Sequence, residues 1–132
     1  MVEIDLVLRL VLAVVLGGIV GIERELVHKP AGLRTHMLVS LGSCLFTVIS
    51  VYDFGMDPAR IASGIVAGIG FIGAGAVIAE RSRVVGITTA ASLWVTASIG
   101  LATGVGSYTL SITTAILVFA ILFMRKLLKE QD

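Results

Sequence analysis

The stretch Gly64-Ile-Val-Ala-Gly-Ile-Gly-Phe-Ile-Gly-Ala-Gly75 decides how this chain folds, because it places five glycines in twelve residues without a single charge. It lies in an apolar run from Ile61 to Ala79. Each interior glycine costs a helix in water about 1 kcal/mol relative to alanine. Inside membranes, small residues instead let helices approach one another closely. The stretch therefore predicts a closely packed intramembrane helix, with a broken helix that lines a cavity as the alternative.

The same stretch contains Gly68-Ile-Gly-Phe-Ile-Gly73, which has the glycine spacing of a dinucleotide-binding fingerprint. That motif requires a strand before it and a helix after it in a soluble βαβ unit. Here it lies in the middle of an apolar run, so we reject nucleotide binding. The net charge of +1 gives no reason to expect nucleic acid as a partner.

The composition indicates an integral membrane protein. Hydrophobic residues make up 57% of the chain and charged residues 14%, whereas a soluble domain is about 25% charged. Five apolar segments are long enough to cross a hydrocarbon core of about 30 Å as helices. We predict one all-α domain over residues 1–132, a bundle with spans at residues 4–22, 35–51, 60–79, 87–103 and 108–124. Serines and threonines dilute the fourth span, so we expect its neighbours to shelter it.

The basic residues predict the orientation of this bundle. Eight of the ten lysines and arginines lie in the loops after the first and third spans and in the C-terminal tail. The positive-inside rule makes that side cytoplasmic, which places the N-terminus outside and the C-terminus inside. The first residues, Met1 to Asp5, are acidic and do not form a cleavable signal. We therefore expect a multi-pass membrane protein.

Small residues recur every fourth position in the first and fourth spans, and at Gly64 and Gly68 in the third. Such stripes favour close helix packing, and five thin helices bury little by themselves. We therefore expect a homo-oligomer in the lipid bilayer, most simply a homodimer. The predicted packing positions are Gly17, Gly21, Gly64, Gly68, Gly70, Gly73, Gly75, Gly100, Gly104 and Trp94, the last with a ligand platform as its alternative.

The polar candidates concentrate at the ends of the spans, where charged residues are retained at a cost. One interpretation is topology and helical pairing, as between Glu25 and Lys29. The other is a cytoplasmic site for an anion, a lipid headgroup or a partner, built around Arg24 and Arg34, since the arginine fork suits phosphate or carboxylate. The candidate set is Glu23, Arg24, Glu25, Arg34, Thr35, His36, Asp57, Arg60, Glu80, Arg83, Thr88 and Thr89.

Local pairings account for several other polar residues. Asp57 before Pro58 predicts a helix N-cap, with a polar site at the outer face as its alternative. Asp5 and Arg9 lie one helical turn apart, so we expect an ion pair that lets Arg9 reach outwards. His28 and His36 are expected to be loop or interface groups, since no zinc or nucleophile constellation accompanies them. We therefore predict no catalytic set, no enzyme activity and no resident cofactor.

Five blocks of the sequence together resemble the MgtC/SapB family of bacterial inner-membrane proteins. The blocks are Gly21-Ile-Glu-Arg-Glu25, Ala31-Gly-Leu-Arg-Thr-His36, Asp57-Pro-Ala-Arg-Ile61, Gly68-Ile-Gly-Phe-Ile-Gly-Ala-Gly75 and Gly86-Ile-Thr-Thr-Ala-Ala-Ser-Leu-Trp94. The resemblance implies about five membrane helices and a part in adaptation to low magnesium, in virulence and in survival inside macrophages. It also implies restraint of the F-type ATP synthase as a role. Many members carry an ACT-like C-terminal domain, which we do not expect in a sequence that stops at Asp132.

Two functions follow from these observations. The first is a regulator of another membrane complex, such as the F-type ATP synthase. The second is a transporter or channel for a divalent cation or phosphate. Magnesium sites usually contain carboxylates, and there is no Asp or Glu between Ile61 and Ala79 or between Ile87 and Met124. A magnesium pathway would therefore depend on backbone carbonyls at Gly64–Gly75, which favours the regulatory function.

Overall fold

The computed structural model describes residues 2–54, 57–80 and 83–128, and this part of the chain folds into five long helices. They are α1 (Val2–Leu26), α2 (Leu33–Ile49), α3 (Pro58–Ala76), α4 (Ile87–Gly104) and α5 (Tyr108–Leu128), and a π-helical turn, Ser50–Phe54, extends α2. All five are long and apolar enough to cross a membrane. The predicted fold class is therefore confirmed. Because the number of spans is odd, the first and the last helix lead to opposite sides of the membrane. Which side is cytoplasmic stays a prediction.

The third span is shorter than predicted, because the helix ends at Ala76 and not at Ala79. The chain then forms an antiparallel hairpin of β1 (Ile78–Glu80) and β2 (Arg83–Val85). β-Branched residues at these positions favour extended backbone. The hairpin also requires Gly86, which has a positive φ of 93° and approaches α3 so closely that a Cβ atom there would collide with the Ala76 carbonyl oxygen.

Helix α4 lies at the centre of the bundle and contacts each of the other four helices. Its hydroxyl groups are satisfied by its own backbone: Thr96 donates to the Ser92 carbonyl at 2.6 Å, and Thr103 donates to the Ile99 carbonyl at 2.7 Å. A buried hydroxyl with a partner avoids the cost of an unmet hydrogen bond. The prediction that neighbouring helices shelter this span is therefore confirmed.

Helix α2 is held between α1 and α4 by glycines on both neighbours. A Cβ atom at Gly17 of α1 would lie 2.7 Å from the His36 carbonyl oxygen. A Cβ atom at Gly100 of α4 would collide with the Ser40 carbonyl oxygen. The glycines at this three-helix seam are Gly17, Gly21, Gly100 and Gly104. Close packing at these four positions is confirmed.

Helix α3 does not use its glycines in this way. A Cβ atom at Gly64, Gly68, Gly70 or Gly75 would meet nothing within 4 Å, and Gly73 is only in ordinary contact with α4. The helix packs on α4 through another side, which includes the buried residues Ile69 and Ala76. These four glycines therefore make no close contact within the described residues, and their predicted packing role stays a prediction for an interface between subunits. The broken-helix alternative is wrong, because α3 is continuous.

Trp94, the remaining predicted packing residue, is 54% exposed. It lies on α4, the helix that is most buried overall, but on a side that its neighbours leave open. Trp94 is therefore not enclosed by the described helices of its own chain, and its predicted packing role stays a prediction for contacts outside the chain.

We expect Gly100→Ala to lower the free energy of unfolding by about 1–3 kcal/mol, because the added methyl group overpacks the contact with Ser40. Gly68→Ala is the matched control on α3, where the methyl group meets open space; it should be neutral or stabilising by up to about 1 kcal/mol. Reversible unfolding of the purified variants in mixed micelles measures both values. Equal changes in the free energy of unfolding for the two substitutions would contradict close packing at Gly100 in the three-helix seam.

Candidate functional site

A buried polar cluster lies where α1, α2 and α4 meet, on the side of the α1–α2 loop. We define it as Glu23, Arg24, His36, Thr89 and Ser92. All five residues are less than 9% exposed, and Arg24, His36 and Thr89 are fully enclosed. Ionisable residues enclosed in a membrane bundle mark a functional site by default.

The Arg24 guanidinium is the largest side chain enclosed in the cluster. Its Nε donates to Glu23 Oε2 at 2.6 Å, its Nη2 donates to Glu23 Oε1 at 3.2 Å, and its Nη1 lies 3.5 Å from Thr89 Oγ1. The two-pronged contact with the carboxylate is the strong form of the arginine ion pair. It neutralises both charges where α1 leaves the membrane, and it connects α1 to the start of α4.

His36 connects α2 to α4. Its Nδ1 lies 2.8 Å from the Gly32 carbonyl oxygen and its Nε2 lies 2.8 Å from Ser92 Oγ. Because a carbonyl oxygen can only accept, Nδ1 carries a proton. In neutral His36, Nε2 then accepts the Ser92 hydroxyl proton, for which the Thr89 carbonyl at 2.7 Å is the competing acceptor.

Glu25 has a different role from its neighbours in sequence. It is exposed, and its Oε1 accepts a hydrogen bond of 3.0 Å from the Leu33 backbone N–H at the start of α2. A Cβ atom at Gly32 would collide with the same carboxylate. Glu25 therefore caps α2 and fixes the loop that places His36 against Ser92.

The structure brings only part of the predicted site together. Glu23, Arg24, His36 and Thr89 lie in the cluster, whereas Arg34, Arg83 and Thr88 are exposed and Thr35 is half-buried. The Glu80 side chain is outside the part of the chain that the structure describes. An anion or headgroup that reaches Arg34 cannot reach the enclosed Arg24, so the predicted site built around both arginines is not formed.

Asp57 and Arg60 lie at the start of α3, at the opposite end of that helix from the polar cluster. Asp57 is the N-cap residue and has a positive φ of 44°, but its side chain makes no capping hydrogen bond. It lies 3.5 Å from Arg60 Nε in an exposed ion pair. The position of the cap is therefore confirmed, but the predicted capping contact is wrong.

Sequence reasoning missed a second polar group, around Arg9. The predicted pair with Asp5 is confirmed at 2.9 Å. However, Arg9 also donates to the Gly104 carbonyl at 2.8 Å and lies over the rings of Tyr52 and Tyr108 at 5.3 and 5.7 Å. With a side chain only 11% exposed, it binds the bundle and does not reach outwards. The sequence signal that could have revealed this group is Tyr52 and Tyr108, because tyrosine is enriched where spans end at the membrane surface.

Comparison with known proteins agrees with this architecture. The sequence model described as "MgtC family" matches residues 10–131. The chain belongs to the MgtC family. It is 43% identical over 127 residues to "Putative magnesium transporter YhiD" of Escherichia coli K12, an alignment that covers 89% of this chain and 59% of that protein.

Two further relatives of this MgtC-family chain have different names. It is 40% identical over 114 residues to "Protein SapB" of Bacillus subtilis 168, covering 79% of this chain and 49% of SapB. It is also 40% identical over 112 residues to "Protein MgtC" of Salmonella typhimurium 14028s, covering 85% and 48%. The chain thus spans about half the length of the curated relatives that it matches. No solved structure matches it.

We expect His36→Ala to destabilise the bundle by about 1–3 kcal/mol, because it leaves the buried Ser92 hydroxyl without its imidazole partner. His28→Ala is the matched control, since His28 is exposed in the loop and should change little. Unfolding of His36→Ala, Ser92→Ala and the double variant gives the coupling energy between the two side chains. Strictly additive effects would contradict a direct His36–Ser92 contact.

We expect Arg24→Met to destabilise the protein by about 3–5 kcal/mol, because it leaves the buried Glu23 carboxylate without its cation. Arg34→Met is the control at an exposed position of similar sequence context, and should change stability by less than about 0.5 kcal/mol. The stability of both variants is measured by their unfolding midpoints in micelles and by the amount of protein that inserts in membranes. Equal losses would show that Arg24 has no special role.

Proposed function

We propose that this chain is a regulator in the bacterial inner membrane that binds another membrane protein through α3. The observation that carries the proposal is the open surroundings of Gly70, where a Cβ atom would meet nothing within 4 Å. A glycine at this position costs the helix about 1 kcal/mol relative to alanine, and within the described chain no close packing offsets that cost. Close approach of a second helix would.

The side of α3 that faces away from the bundle is suited to such an approach. Ser63, Ala67, Gly70 and Ala74 recur at intervals of three or four residues and are all exposed, so they share one side of the helix. Small residues at this spacing let the backbone of a partner helix come close, and they are the usual contact surface between helices in lipid. We call Ser63, Ala67, Gly70 and Ala74 the small-residue face.

The F-type ATP synthase is the partner that the family resemblance implies, and it offers membrane-embedded helices for such a contact. A second copy of this chain is the competing occupant of the small-residue face, as expected from the predicted homodimer. In either case the chain has no need of chemistry of its own, so it acts by binding and not as an enzyme. The resemblance implies that this regulation acts when magnesium is scarce.

Transport of a divalent cation is the second candidate, favoured by the name of the relative YhiD. Two observations weigh against it. Within residues 2–54, 57–80 and 83–128, no group of three or more His, Cys, Asp or Glu side chains could hold a metal ion. The seam around α2 is also closed by the backbone contacts at Gly17 and Gly100. The regulatory function therefore remains the proposal.

The double variant Ala67→Leu/Gly70→Leu tests this proposal, because two bulky side chains keep a partner helix away from the small-residue face. From native membranes of cells grown in low magnesium, we expect the wild-type chain to co-purify with the ATP synthase and the variant to lose about tenfold in recovery. Ala120→Leu, at an exposed alanine of α5, is the control and should behave as wild type.

Two results would overturn the regulatory proposal. One is recovery of the ATP synthase or another membrane complex that does not change in the double variant. The other is saturable magnesium or phosphate flux through proteoliposomes that contain the purified chain alone. Crosslinking of two copies of the Gly70→Cys variant in native membranes would assign the small-residue face to the homodimer.

A further inference from the structure

A groove of about 500 Å³ runs between α2 and α3, beside the small-residue face and distinct from it. Its α2 wall includes Leu38, Gly42 and Phe46, and its α3 wall runs from Arg60 to Ile72. We propose that this groove binds one acyl chain of a membrane phospholipid, with the lipid phosphate on Arg60.

The walls of the groove are those of a hydrocarbon site. Leu38 and Phe46 at its rim are 67% and 60% exposed, so between membrane-spanning helices the groove opens to lipid. Its polar lining residues are Ser43 and Arg60. The Ser43 hydroxyl already donates to the Ala97 carbonyl at 2.6 Å, which leaves Arg60 as the group that can select a ligand. The volume lies in the range of about 300–1,000 Å³ typical of small-molecule sites.

Glycines create the space. Gly42, Gly64 and Gly68 line the groove, and a Cβ atom at any of them would meet nothing within 4 Å. The floor of the groove includes Ile69, a buried residue of α3 that packs against α4. Side chains at the three glycine positions would project into this space, so the groove exists because these positions carry no side chain.

The dimensions favour an acyl chain over a helix. From Arg60 to Ile72 the α3 wall rises about 18 Å, close to half of a hydrocarbon core of about 30 Å, which is the depth of one leaflet. A helix about 10 Å wide over that length would occupy roughly 1,400 Å³, more than the whole empty space of about 1010 Å³ between the walls of the groove and its open mouth. A partner helix could therefore lie across the rim but could not enter.

The charge at the end of the groove suits a phosphate. Arg60 lies in the first turn of α3, near the membrane boundary, and its side chain is 86% exposed. Its ion-pair contact to Asp57 is long, at 3.5 Å, and that carboxylate is itself exposed, so the guanidinium fork can turn to a phosphate. The positive end of the α3 dipole lies at the same place and adds to the attraction for an anion.

Native mass spectrometry of the intact chain, released from micelles that contain phosphatidylglycerol, tests the groove. We expect one lipid to be retained per chain in the wild type. Gly64→Leu/Gly68→Leu fills the groove and should lower retention about tenfold. Gly70→Leu/Gly75→Leu is the matched control on the same helix, because these glycines are equally open but do not line the groove. Far-ultraviolet circular dichroism of both variants is the check that they keep the helical content of the wild type.

The headgroup contact has its own test. Arg60→Gln should weaken phosphatidylglycerol retention about tenfold but leave retention of a diacylglycerol, which has acyl chains and no anionic group, unchanged, whereas Arg34→Gln should change neither. Full retention in Gly64→Leu/Gly68→Leu, or equal loss in the matched control, would overturn the proposal. So would efficient crosslinking of Gly64→Cys to a second polypeptide, which would place protein in the groove. Since the small-residue face is not part of the groove, failure here leaves the regulatory proposal standing.

Discussion

The close approach of α2 to α1 and α4 is the constraint on which the rest of the structure depends. Glycines at positions 17 and 100 bring backbone against backbone on both sides of α2. Van der Waals contact of this kind drives helix association in lipid, where apolar burial gives no net gain. The seam also explains why α2 and α4 tolerate buried hydroxyls such as Ser43 and Thr96, since tight packing excludes lipid and backbone carbonyls of the helices accept their protons.

The buried polar cluster is a consequence of that seam. Glu23 and Arg24 lie two and three residues after Gly21, and His36 lies on the part of α2 that Gly17 and Gly21 approach. An ion pair enclosed so completely is expensive unless its hydrogen bonds are met, and here the carboxylate occupies two nitrogens of the guanidinium. The cluster therefore fixes the register of α1, α2 and α4 at one end, as Arg9 with Asp5 and the Gly104 carbonyl does at the other.

The sequence was sufficient to predict the five spans, the seam glycines and the Asp5–Arg9 pair, because each depends on spacing within one helix. It was not sufficient for contacts that depend on how helices are arranged. A stripe of small residues shows which positions share a side but not what that side meets, so Gly68 and Gly100 looked alike. Arg24 and Arg34 also looked alike, although only the first is enclosed. The hairpin after Ala76 was missed because its apolar strands continue the hydropathy of α3.

Helix α3 is the element in which the molecule departs from a self-contained bundle. It depends on α4 for most of its contacts, so its other sides are available to lipid and to protein. Its glycines leave a recess toward α2 at Gly64 and Gly68, and its small-residue face is on the side away from the bundle. A lipid seated in the recess would add to the contacts between α3 and α2, which are few compared with those between α3 and α4. The orientation of the small-residue face would then depend on whether the recess is filled.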